Sequence, residues 1–191
     1  MCITRSGVNR LVANASKTAM LVFQPGRQHS SFQVELSGEL ITETKDEKSL
    51  GIHIQNDLKW SKQVAKVTSE VTYALSVLKR LRDVIGLKEL RTIADGLVMS
   101  KLRYCLPIYG AEFLRLRDTD PQSVLILRMQ RAQNDMLRIL TRKRRRHHVR
   151  VVDMLKETKF LSINQSIAYS LLVEAWKARQ FEVPILGNLL M

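Results

Sequence analysis

KSLGIHIQNDLKW (residues 48–60) decides the fold, because the apolar period changes across it. Ile52 and Ile54 alternate with His53 and Gln55, the period of a half-buried strand. Asn56-Asp57 predicts a turn, since both side chains bond nearby backbone and tolerate unusual φ. Ser61 follows as the expected helix N-cap. Val64, Val67, Val71, Ala74, Leu78, Leu81 and Ile85 then recur at alternating spacings of three and four. This is a heptad seam, expected to run about six turns and to close at Gly86. It reads either as a free coiled coil or as the core face of a bundle. The stretch is thus a joint between a small sheet and a helical region.

Upstream of the joint, Ala19–Phe23 is a strand stopped by Pro25-Gly26, and Phe32, Val34 and Leu36 alternate with polar partners. Ser37-Gly38 turns the chain, so Leu40 to Thr44 returns as a hairpin. With residues 48–54 these make a small, mostly antiparallel sheet. Downstream, Leu87–Tyr104 predicts a second helix broken at Pro107, and Gly96 inside it predicts close helix packing. RDTDPQS (117–123) precedes a third helix, Val124–Leu140, with Leu125, Met129, Ala132, Met136 and Ile139/Leu140 on one face. TRKRRRHHVR (141–150) interrupts, and a short helix covers Val151–Glu157. Ser162-Ile163-Asn164-Gln165 matches a capping box and opens the last helix, to about Gln180. The expected class is α+β, with a sheet-bearing region 1–60 and a helical region 61–191.

Hydrophobic residues make up 45% of the 191, enough for a folded core. No apolar run approaches the roughly 18 residues that span a bilayer, and MCITRSGVNR lacks the apolar core of a secretory signal. The expectation is an intracellular protein without a membrane partner. Cys2 and Cys105 share no disulfide framework or zinc spacing. Net charge is +13, unevenly spread: residues 1–60 hold 7 Lys/Arg against 6 Asp/Glu, and residues 61–191 hold 24 against 12. A basic half beside a neutral one points to nucleic acid, and otherwise to an inert basic surface.

Metal-dependent phosphoryl transfer needs convergent carboxylates. Asp46-Glu47 is expected in a turn and Asp118 and Asp120 in a loop, with no Asp-Asp pair at a strand end. No glycine-rich phosphate loop, GxSxG or HExxH occurs. His29, His53, His147 and His148 offer no standard metal spacing, so no metal site is expected. The strongest local signal is basic. Arg138, Arg142, Lys143, Arg144, Arg145, Arg146 and Arg150 fall within thirteen residues that hold no acid. Cations this dense repel one another, a cost that a phosphate backbone offsets through counterion release. The run reads equally as a nuclear-import signal, placing the protein in the nucleus, or as a solvated loop.

NASKTAMLVF (14–23), followed by KSLGIHIQNDLKW, resembles the end of the reverse transcriptase of non-LTR (LINE-type) retrotransposons. That family shows an N-x-x-K-T strand entry, a hairpin, and a Leu-Gly strand leading to a Leu-x-Trp helix entry. The resemblance continues through ALSVLKRLR (74–82), DGLVMSKLRYCLPIYG (95–110), RMQRAQNDMLRIL (128–140) and FLSINQSIAYSLLVEAWKA (160–178). It departs at Ser49, where the family usually has an aromatic, and at Gln63-Val64, where His-Ile is common. The Tyr-x-Asp-Asp turn and the earlier metal-binding aspartate of the family would lie before Met1.

The resemblance implies the end of a polymerase palm, then a helical thumb and its extension. It implies a truncated, inactive chain that retains sequence-independent binding of a template–primer duplex, RNA or DNA. Lys17 matches a lysine near the incoming nucleotide, and otherwise is a surface lysine. Leu50 and Gly51 match the primer-gripping strand and Trp60 the helix entry, although packing would suffice for Leu50 and Trp60. Mg²⁺ belongs to the full-length family enzyme, with its ligands absent here. The rival readings are a helix-mediated interaction remnant, pairing with a second copy or with a missing palm half, and a non-functional fragment of a decayed element.

Overall fold

Residues 14–23, 32–36, 38–115, 120 and 123–180 are described by the structure, a computed structural model. The chain forms two compact units, Met1–Gln63 and Val64–Met191. In the first, Asn14 caps a 3-10 turn over Ala15–Lys17, its Oδ1 accepting from the Ser16 N–H at 3.0 Å. Thr18 closes this turn by donating its hydroxyl to the Asn14 carbonyl at 2.8 Å. β1 (Met20–Leu21) follows and pairs parallel with β3 (Glu39–Thr44), whose other edge pairs antiparallel with β2 (Gln33–Leu36). Leu36 lies opposite Glu39, so the loop has two residues, and Gly38 supplies its φ of +84°.

β4 (Asp46–Ser49) and β5 (Ile52–Gln55) form a separate antiparallel hairpin. The expected single sheet is therefore two, and β1 joins its sheet in parallel. Asp46-Glu47 is a strand, not a turn. Leu50-Gly51 is the turn, not a strand: φ values of +47° and +84° are those of a two-residue hairpin turn twisted to match its strands. β5 is half-buried, but its burial does not alternate: Ile52 is buried, while His53, Ile54 and Gln55 are all intermediate. Of the residues that alternate with polar partners at β2, Phe32 and Val34 are exposed and Leu36 is half-buried.

α1 (Ser61–Leu81) begins one residue after Trp60. Its cap is not Ser61, which is already helical; Gln55 Oε1 accepts from both the Ser61 hydroxyl and the Lys62 N–H, each at 2.9 Å. Gln63 is buried, and its Oε1 accepts the His53 N–H at 3.0 Å. Leu58 and Trp60 take φ of +53° and +59° to make the entry. Left-handed backbone costs about 1–3 kcal/mol. Burying a tryptophan removes on the order of 150–250 Å² from water, worth several kcal/mol, so the Trp60 burial wins.

In the second unit Val64, Val67, Val71, Ala74 and Leu78 are buried, so the seam is a core face. The helix ends at Leu81, before Ile85, and Gly86 is the N-cap of α2 (Leu87–Ala94) instead of a C-terminal stop. A π-helical turn, Asp95–Met99, leads into α3 (Ser100–Arg103). The break falls at Tyr104-Cys105, where Cys105 has φ +52°, and not at Pro107. Pro107 sits in the first turn of α4 (Leu106–Arg115), where its missing N–H is not needed. α5 (Ser123–Leu140), α6 (Val151–Thr158) and α7 (Ile163–Gln180) complete the unit. On α5, Leu125, Met129, Met136, Ile139 and Leu140 are buried as their spacing predicts, with Ala132 half-buried.

Close packing occurs at Gly110 of α4, not at Gly96. A Cβ on Gly110 would lie 2.9 Å from Cγ1 of Ile167 on α7, whereas one on Gly96 would meet nothing within 4 Å. The capping box of α7 forms in both directions: Gln165 Oε1 accepts the Ser162 N–H at 2.9 Å, and the Ser162 hydroxyl accepts the Gln165 N–H at 3.2 Å. The class is α+β with a helical C-terminal part. No helix among the described residues is long and apolar enough to cross a membrane. Pro25-Gly26, His29, Ser37, Cys2, Asp118 and most of 117–123 lie outside the described residues.

Candidate nucleic-acid interface

α1 and α5 enclose a groove of about 480 Å³. From α1 come Thr68, Thr72, Ser76 and Lys79, spaced four, four and three, a stripe adjoining the buried seam. From α5 come Arg128, Arg131 and Asp135. The hydroxyls of Thr68, Thr72 and Ser76 donate to carbonyls of their own helix at 2.8, 2.8 and 2.7 Å, and Leu75 and Ala132 complete a lining that is largely apolar between the cations. Three cations stand against one acid. That acid is already engaged, since Arg145 Nη2 lies 3.1 and 3.5 Å from the Asp135 oxygens.

The basic run is not a loop of free like charges. α5 ends with Arg142 left-handed at φ +57°, its Nη2 donating to the Arg82 carbonyl at 2.9 Å. Lys143 pairs with Glu157, and Arg150 Nε with Asp153 at 3.2 Å. Arg138 turns Nη1 inward, where it has no hydrogen-bond partner among the described residues. A 3-10 turn, Arg145–His147, is fixed by the Arg144 N–H donating to His147 Nδ1 at 3.1 Å. Arg144 and Arg146 are exposed, and among the described residues no acid side chain pairs with either. Of the seven cations, Arg142, Lys143, Arg145 and Arg150 bind groups of the chain itself, the last two in exposed ion pairs, while Arg144 and Arg146 face solvent without an ion pair among the described residues.

Sequence reasoning missed Lys79, Arg128 and Arg131. The legible signal was the i, i+3 spacing of Arg128 and Arg131 on a helix whose opposite stripe is apolar. In the first unit Lys17 is exposed at the end of the 3-10 turn. Asn14 and Thr18, which bracket it, have backbone-bonding roles that need no ligand. Leu50 is 87% exposed at the hairpin tip, so packing does not account for it, whereas Trp60 is buried.

Among the described residues no group of three His, Cys, Asp or Glu side chains could hold a metal ion. Asp46 is engaged by Lys62, and Asp46 and Glu47 point to opposite faces of β4. The donors among the described residues do not make a Mg²⁺ set. Compared with family models, curated proteins and solved structures, the chain matches none.

Proposed function

We propose that this chain is a palm-end and thumb region similar to that of non-LTR reverse transcriptases, whose helical unit binds a nucleic-acid duplex without reading its sequence. The binding reading is carried by the α1–α5 groove, where Lys79, Arg128 and Arg131 face an acid already paired with Arg145. Arg144 and Arg146 add two exposed cations. Cations on a helical surface serve phosphate backbone contacts, which position a duplex but do not specify its sequence. The reverse transcriptase reading rests on the order of the motifs along the chain. Nucleotidyl transfer needs two metal ions, and no carboxylate set for them occurs among the described residues.

The test is fluorescence anisotropy with two labelled duplexes of unrelated sequence. The chain binds both equally, and a Lys79→Gln/Arg128→Gln/Arg131→Gln variant weakens both alike by about tenfold or more. Unchanged affinity of this variant sinks the groove as the contact. One observation favours a second reading, assembly with another polypeptide. Phe32, just before β2, and Val34 on it are both exposed, a surface that the remainder of a palm would cover.

A further inference from the structure

A second cluster of cations in the helical unit shares no residue with the α1–α5 groove. Arg91 of α2, Asp95 of the π turn, Arg103 of α3 and Lys159 after α6 line a pocket of about 200 Å³ beside Phe160. Arg91 is held at two points. Its Nε donates to the Thr158 carbonyl at 2.7 Å, and its guanidinium carbon lies 5.2 Å from the centre of the Phe160 ring. These contacts fix the guanidinium plane and leave its terminal nitrogens, the fork that engages phosphate oxygens bidentately. Asp95 accepts from Arg103 Nη1 at 3.0 Å, so three cations face one carboxylate and two positive charges remain uncompensated. That balance suits a phosphate dianion.

The backbone is irregular at the pocket. Asp95 opens the π turn, a kind of departure that gathers at functional sites. Lys159 is the left-handed C-cap that ends α6, which sets where its side chain leaves the helix. Lys159 and Phe160 also wall an adjoining trough of about 440 Å³, whose other side is apolar: Val152, Leu155 and Leu161. The pocket alone is smaller than the roughly 300–1,000 Å³ of an organic-ligand site, whereas pocket and trough together fall inside that range.

We propose that Arg91, Arg103 and Lys159 bind the phosphate of an organic phosphomonoester whose apolar body lies along Val152, Leu155 and Leu161. The site is independent of duplex binding in the groove. It is tested on the full chain by calorimetric titration at matched ionic strength with inorganic phosphate, hexyl phosphate, and a duplex carrying 5′-phosphate or 5′-hydroxyl ends. Hexyl phosphate binds at least about tenfold tighter than inorganic phosphate, a gain that two buried methylenes supply. Lys159→Gln and Arg103→Gln each weaken hexyl phosphate about tenfold, with cooperative thermal unfolding retained. Val152→Asn, at an exposed position, removes the hexyl preference and leaves inorganic phosphate binding unchanged. A 5′-phosphate gain that the same two cation variants abolish identifies the end of a nucleic acid as the source; hexyl phosphate binding without it identifies a free ester. The proposal is overturned if hexyl phosphate binds no tighter than inorganic phosphate, or if both cation variants bind it unchanged.

Discussion

Gln63 is a buried polar residue whose carboxamide does a defined job: it accepts the backbone N–H of His53 from within the protein. Gln63→Leu leaves that donor unpaired, with an expected loss of about 1–3 kcal/mol in denaturant unfolding. Leu50 presents the opposite case. An exposed leucine at positive φ in a hairpin turn is strained where Asn-Gly would be relaxed. Leu50→Asn is therefore expected to raise stability by about 0.5–1 kcal/mol. If the tip grips a primer, the same change weakens duplex binding; a stabilised variant with unchanged binding removes the grip role. Tyr109 is fully buried, which pushes its phenol well above the usual tyrosine range, with Cys105 adding to the shift. Because the folded value is raised, this contribution to stability is complete below about pH 10 and is lost as pH rises further. The alkaline fall in thermal midpoint should be shallower in Tyr109→Phe.

At the scale of elements, the buried seam of α1 decides between an internal core and a pairing helix. Ala74 is buried among the chain's own atoms, so Ala74→Asp places an unpaired carboxylate there at a cost of several kcal/mol. Loss of cooperative unfolding in a monomeric sample is expected. A wild-type dimer that Ala74→Asp turns into a folded monomer would show instead that the seam pairs between chains. The α4–α7 contact makes a second case. Gly110→Ala forces its methyl against Ile167, and overpacking of about 1–3 kcal/mol outweighs the gain of up to about 1 kcal/mol in helix propensity. Periodicity made α1, α5 and the α7 capping box legible, because each is written in side chains close in sequence. It did not reveal Gly110, whose constraint comes from a residue 57 positions later. Nor did it reveal that Gln55 caps α1, since that acceptor belongs to a strand. Pro107 misled because a helix breaker and a first-turn proline look alike until the preceding break is located.

Across the whole molecule, most of the basic run has become structure. Arg142, Lys143, Arg145 and Arg150 each bind a group of the chain itself, so replacing Arg142, Lys143, Arg144 and Arg145 with Gln should lower stability by about 0.5–2 kcal/mol, contrary to what free charges in a loop would do. The cations offered to a duplex backbone are Lys79, Arg128 and Arg131 in the groove, with Arg144 and Arg146 exposed on the run. Each phosphate neutralised contributes about −0.9 to the slope of log K against log salt for duplex DNA. The most direct measurement is that slope, taken for wild type and for Lys79→Gln/Arg128→Gln/Arg131→Gln. Wild type should fall at about −3 or steeper with duplexes of any sequence, and the triple variant should flatten the slope by about two to three. A wild-type slope near zero, or a triple variant with the wild-type slope, would contradict duplex binding through this groove.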